Sequence, residues 1–212
     1  MIALVGSIIV SFILFLNPEA IFEQVENKIK EINDYTCLVD TYERAGKDEM
    51  KNIHRYYYKK PGWIKVSILE GDNKGSQALY NPNERKVKGH GGGALKFIKV
   101  SLPPENKRVQ SPRGFMMNES DFSSNLNFLK RAYRNSQNTS VEDLKDRWKI
   151  KIEGIKNPEE FKGFKSIEVL INKSSNLIEE IIYYDPDGSV GKRTILKDIQ
   201  INVGLKESDF EI

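Results

Sequence analysis

Cysteine and histidine are scarce in this chain of 212 residues: one of the first and two of the second. A single cysteine, Cys37, cannot close an internal disulfide, and it lies too far along for an N-terminal lipidation site, so it reads as a small buried hydrophobe. His54, His90 and Cys37 stand at scattered positions without ligand spacing; no metal and no cofactor is implied. A surplus of one charge is lacking too. Lys and Arg number 33 against 30 Asp and Glu and alternate with them along the chain, so no face is expected to hold a nucleic acid by counterion release. The small excess is compatible with an anionic membrane surface. No Gly-Lys-Ser or Gly-Lys-Thr follows the glycines at 91–93, which removes a phosphate-cradling loop.

What is present begins with IALVGSIIVSFILFL, residues 2–16, which carries no charge and is followed by NPEA. Fifteen residues suit the apolar region of a signal peptide better than a spanning helix, which needs about 20. No Lys or Arg precedes the run, so residues 1–20 read as a signal peptide or a short membrane anchor. The protein is therefore expected outside the cytoplasm. Residues 21–212 suit one globular domain, and 39% hydrophobic with 10% aromatic residues argue against disorder.

The glycine-rich stretch Gly89-His90-Gly91-Gly92-Gly93-Ala94-Leu95 has the look of an oxyanion-hole loop. An esterase also needs a nucleophile on a tight strand-to-helix turn, with an acid and a histidine later in the chain. The nearest match, Asp187-Gly188-Ser189-Val190-Gly191, lacks the first glycine and falls between two predicted strands, and both histidines precede Ser189. Glu179 and Glu180 adjoin in a strand and point to opposite faces, so they make no acid and base pair. The glycines then read as a hairpin turn using positive φ. No catalytic set is expected.

Asn17-Pro18 offers a cap and a first-turn proline, after which Ile21, Val25, Ile29 and Ile32 recur at helical spacing. Alternating β-formers predict strands over 35–45, 50–59, 63–70, 76–80, 85–89 and 94–100, then over 147–154, 164–172, 177–185 and 190–203. Between the two series lies a Pro-rich loop at 101–117, a helix over 121–133 with Phe122, Leu126, Leu129 and Tyr133 in phase, and a polar, mobile stretch at 135–140. The fold class expected is α+β: a strongly curved antiparallel sheet of about ten strands, an incomplete β-barrel, with helices covering the concave face.

The order of Lys59-Lys60-Pro61-Gly62-Trp63-Ile64-Lys65, Asn73-Lys74-Gly75-Ser76-Gln77-Ala78-Leu79-Tyr80-Asn81-Pro82 and the closing Tyr184-Asp185-Pro186-Asp187-Gly188 with Phe210 resembles the LolA-like lipoprotein-carrier superfamily. GGGALKFIKVSLPP and DYTCLVDTYERAGK resemble a less characterised branch of exported bacterial proteins within it. That resemblance implies a half-barrel whose hollow takes up acyl chains of lipoproteins or other lipids. It implies that the strand after the basic-Pro turn, with Ile64, Val66 and Ile68, lines the hollow. The family's Arg before the proline latches the lid helices; here the position is Lys60, which lacks the planar fork of Arg.

The other expected lining residues are Tyr56, Tyr58, Leu79 and Phe97 on strands, Phe115, Met116 and Met117 in the loop, and Leu126 and Leu129 on the helix. The loop and that helix are the expected lid, methionine suiting a lining that adapts to varied chains. The function implied is a non-enzymatic, monomeric envelope carrier of lipid or lipoprotein acyl chains, with an envelope protein as donor or acceptor. The alternative is an envelope sensor of RseB-like type that binds a protein partner.

Overall fold

The computed structural model describes residues 17–212; of the expected export segment 1–20, residues 1–16 lie outside the described residues and 17–20 form the cap and first turn of the first helix. Helix α1 (Pro18–Lys30) starts as its sequence demands, with Asn17 Oδ1 accepting from the Glu19 amide at 2.9 Å and proline in the first turn. Its stripe of Ile21, Phe22, Val25 and Ile29 is buried. Helix α2 (Phe122–Arg134) is capped by Asp121, which accepts from Ser123 and Ser124, and buries Phe122, Leu126, Leu129 and Ala132. The two helices touch through Phe22 against Tyr133, ring centroids 6.0 Å apart, and through Lys130 Nζ on Glu26 at 2.8 Å.

The strands are β1 (Asp34–Ala45), β2 (Asp48–Lys59), β3 (Trp63–Gly71), β4 (Gln77–Asn81), β5 (Lys86–His90), β6 (Lys99–Leu102), β7 (Asn138–Asp143), β8 (Arg147–Glu153), β9 (Ser166–Asn172), β10 (Ile178–Tyr184) and β11 (Val190–Ile201). They form one antiparallel sheet in the order β6-β5-β4-β3-β2-β1-β11-β10-β9-β8-β7. Two meanders thus meet at the β1 and β11 pair. The sheet does not close, and β6 and β7 remain its edges. The connection from β6 to β7 must return from one edge to the other, and it carries α2 with it. Register shifts at Thr36/Leu38, Ile53/His54, Ile178/Glu180 and Tyr183/Tyr184 interrupt four of the ladders, and such bulges bend a sheet. Among the described residues no helix is long and apolar enough to cross a membrane.

The main core lies between the helices and the half of the sheet from β1 through β11 to β8. Ile150, Ile152, Ile167, Val169, Ile171 and Leu129 have no exposed surface there. Tyr35 is stacked on Tyr56 and Tyr58 and meets Phe122 at 4.4 Å between centroids. A smaller cluster, Trp63, Leu79 and Phe210, sits on the opposite, convex face of the sheet.

Two local expectations are corrected. The stretch at 94–100 is not a strand: Gly93–Phe97 makes a 3-10 turn and β6 begins only at Lys99. The polar stretch at 135–140 is not a mobile loop, because Asn138 begins β7, which pairs with β8 from Asn138 opposite Glu153 onward. As an edge strand with polar side chains outward it shows little hydrophobic alternation. Replacing Leu129 by Ala should lower unfolding free energy by about 2–5 kcal/mol in urea titration, because the site is walled by sheet and helix and cannot collapse.

Candidate functional site: a divided hollow and its strap

On the concave face, alternation places Tyr35, Cys37, Val39, Thr41 and Glu43 of β1 in line, with Tyr58, Tyr56 and His54 of β2 and Ile64, Val66 and Ile68 of β3 beside them. The loop between β6 and α2 crosses over this face and divides the hollow. On one side lies a small cavity of about 130 Å³, walled by Tyr56, His54, Phe115, Met116, Tyr183 and Leu196 among others. On the other lies an open groove of about 560 Å³ lined by Val66, Ile68, Ala78, Val87, Val100, Val109 and Met117. Only the second falls in the size range of sites for lipid-sized molecules, about 300–1,000 Å³.

The expected lining residues therefore divide. Val66, Ile68 and Met117 border the groove, and Tyr56, Phe115 and Met116 the small cavity. Ile64 is 1% exposed and, with Leu126 and Leu129, belongs to the filled core; Tyr58 packs against that core. Leu79 does not line the hollow. It pairs with Lys65 in register, which turns it to the convex face beside Trp63. Phe97 does not line it either, since the chain turns there instead of continuing as a strand, and its side chain is 91% exposed.

Lys60 Nζ donates one hydrogen bond, at 2.9 Å, to the Lys30 carbonyl at the end of α1. Asn202 shares that task, its Nδ2 donating to the Glu31 carbonyl at 3.0 Å and its Oδ1 accepting from the Asn33 amide at 2.7 Å. A single lysine bond is what the missing guanidinium fork leaves, and Asn202 supplies the second point of attachment.

The strap over the hollow is held by charge. Glu43, fully buried, accepts from Ser111 Oγ at 2.6 Å, the Arg113 amide at 2.7 Å and Lys192 Nζ at 2.9 Å. Lys192 also stands 3.6 Å over the Phe115 ring. Arg113 bonds Asp185 at 2.8 Å, lies 4.5 Å over the Phe164 ring and donates to the carbonyls of Arg44 and Lys162. Burial pushes the Glu43 carboxyl up, but Lys192 and the hydrogen bonds from Ser111 and Arg113 outweigh it and leave the carboxyl below its ordinary range. Burial lowers Lys192, with Glu43 opposing. This network escaped the sequence reading. Its one visible signal is Glu43 itself, a charge in phase with the buried positions 35, 37, 39 and 41, which must find partners inside the fold.

The same network disposes of the esterase motif. A Cβ at Gly191 would stand 2.7 Å from Asp185 Oδ1 and 2.8 Å from Arg113 Nη2, so this glycine makes room for the ion pair. Ser189 Oγ bonds Asp187 and Arg44, with no histidine. In the glycine stretch only Gly93 has positive φ, at 58°. Gly92 is needed for close approach instead, since a Cβ there would stand 1.9 Å from the Lys74 carbonyl oxygen. Cys37 is buried, and burial pushes its thiol up to about 12. Glu180 pairs with Arg193 at 2.7 Å and Glu179 accepts from Asn172. Among the described residues no group of three or more His, Cys, Asp or Glu could hold a metal ion.

An open, curved antiparallel sheet with a helix-covered hollow and a polar strap across it defines the class of this protein. Within that class, an uncharacterized conserved protein from Thermus thermophilus superposes with TM-score 0.55 over 91% of each chain at 14% identity. MucB superposes with TM-score 0.52 at 10% identity, over 91% of this chain and 63% of its own, so this chain spans less than two thirds of MucB. A LolA superfamily protein from Nitrosomonas europaea superposes more loosely, with TM-score 0.41 at 12% identity over 92% of this chain and 97% of that one. No protein-family model matches the chain, and no curated protein matches it in sequence. At such identities the likeness is one of fold.

Glu43→Gln should cost about 3–5 kcal/mol at pH 7, because it leaves Lys192 buried without its counter-charge. The folded carboxyl has the lower pKa, so its contribution is present above the ordinary 4.5 and lost as pH falls through the folded value; the stability gap between the two proteins should therefore narrow as pH falls below 4.5. His54 behaves differently. Burial, with Lys192 nearby, lowers it from 6.5 to about 4, so the unfolded chain takes up the proton first and stability should fall between about pH 6.5 and 4, by at most ~3 kcal/mol. NMR titration of His54, and loss of that slope in His54→Gln, check this.

Proposed function

We propose that the protein is an extracytoplasmic carrier that shelters acyl chains of a lipid or lipoprotein in the groove between β3, β4, β5 and the strap, without catalysing a reaction. The observation that carries this reading is the unequal filling of the hollow. Its helix-covered half is plugged by the protein's own side chains, while the other half is open, with an apolar floor of Val66, Ile68, Ala78, Val87 and Met117 and polar groups of Gln77, Arg108 and Gln110 sharing its walls. Moving an acyl chain through water exposes about 0.8 kcal/mol per CH₂, so a dozen methylenes left in water would defeat release from a membrane. A preformed groove removes that cost. Phe115, Met116 and Met117 stand between groove and cavity, and lifting them would join the two spaces at the cost of Phe115's contacts with Phe164 and Tyr183 at the margin of the main core.

Export directed by residues 2–16, a monomeric state and a donor or acceptor protein in the envelope belong to the same reading. The fold-level likeness to MucB leaves the protein-binding alternative as the other outcome of the test.

Purified protein should bind a fluorescent fatty acid, and lipid should appear by mass spectrometry in protein taken from its envelope. Ala78→Trp, which fills the groove from its small-residue wall, should weaken the fatty acid at least about 10-fold while leaving the unfolding free energy within about 1 kcal/mol of the parent. A folded protein that binds no lipid and captures one stoichiometric envelope protein would overturn the carrier reading in favour of the sensor.

A further inference from the structure

The turn between β5 and β6 exposes what soluble proteins usually hide. Phe97 is 91% exposed, Ile98 59% and Leu95 57%, three of the five large hydrophobic side chains that stand exposed among the described residues. They are interleaved with cations in Leu95-Lys96-Phe97-Ile98-Lys99. The turn is built to stay where it is: Gly92 at its base packs directly on the Lys74 carbonyl, and Leu95 folds back over Gly91.

The charge around it is lopsided in a way the interleaved whole-chain totals conceal. Between residues 85 and 110 lie seven of the chain's 33 basic residues and one of its 30 acidic residues, so this segment carries +6 and the remainder −3; Lys88 is paired with Glu84 just outside it, at 2.8 Å. Among the described residues Lys96, Lys107 and Arg108 form no ion pair, and Lys99 Nζ donates to the Ile212 oxygen at 3.0 Å. Three apolar side chains are far too few for a stable protein interface, which buries more than about 1,000 Å². They suit insertion at the acyl boundary of a bilayer whose phosphates meet the surrounding cations.

We propose that this finger docks the protein on anionic phospholipid bilayers, with Phe97 at its inserted tip and Lys96 and Lys99 on the headgroups. Leu95 and Ile98 also border the open groove, so the docked tip would stand at the groove's rim. Docking itself does not depend on the groove holding lipid; only the direction of transfer rests on the carrier reading.

The test uses the full chain with Phe97→Trp, read against the parent protein to remove the signal of Trp63 and Trp148. With vesicles containing phosphatidylglycerol, emission of the introduced indole should shift to the blue and become protected from aqueous iodide, and neutral phosphatidylcholine vesicles should leave it unchanged. Adding Lys96→Gln and Lys99→Gln should weaken the anionic-vesicle response on the order of 10-fold or more, each cation near the surface contributing roughly a factor of five. Unchanged emission from that indole at lipid excess would overturn the proposal, as would an equal response to neutral vesicles. A shift that needs no vesicles and grows with protein concentration would overturn it too, assigning the finger to a second copy. Fatty-acid binding is measured on the same variant without vesicles, so loss of docking and loss of the carrier reading are told apart.

Discussion

The pairing of β1 with β11 is the constraint on which the rest depends. These strands are 149 residues apart where Glu43 faces Lys192, yet their ladder joins the two meanders into one sheet. It also places a carboxylate opposite an ammonium on the concave face. A buried pair of this kind contributes little net stability when compared with apolar packing, but it is costly to break and strongly directional. Its unused hydrogen-bonding capacity is what draws Ser111 and Arg113 down, and with them the strap that divides the hollow.

That division explains why two halves of one sheet differ. Over β8 to β11 the helices present continuous apolar stripes, and the isoleucines below meet them without a gap. Over β3 to β6 no α-helix lies; the chain crosses instead as a loop whose polar anchors, the amide and guanidinium of Arg113, bond Glu43 and Asp185 on the border of the filled half. A loop pinned along one margin leaves the far side open. The groove is thus a consequence of where the strap's anchors sit.

Much of this was legible beforehand. Both helices have caps and 3.6-residue stripes, and nine of the eleven strand regions alternate or run apolar between turn residues, so a curved antiparallel sheet with helices on its hollow side followed from local pattern and order. Of the two edge strands, β6 was misplaced because a 3-10 turn takes up most of 94–100, and β7 was hidden because an edge strand with polar side chains shows little alternation. Val66, Ile68 and Met117 border a groove, whereas Leu79 does not, because it joins Trp63 and the distant Phe210 in a cluster on the convex face. Phe97 looked like a strand residue until the close approach of Gly92 to Lys74 showed a turn.

The sequence alone therefore determined the elements and their faces, since helix stripes, strand alternation and capping are local and each repeats within a few residues. Only the tertiary structure decided that Glu43, Lys192, Arg113 and Asp185 share one network, that half of the hollow is full and half open, and that Phe97 stands exposed at the tip of a turn. Those are properties of chain segments 70 to 149 residues apart, of volume left over after packing, or of a close backbone approach, and no local periodicity encodes them.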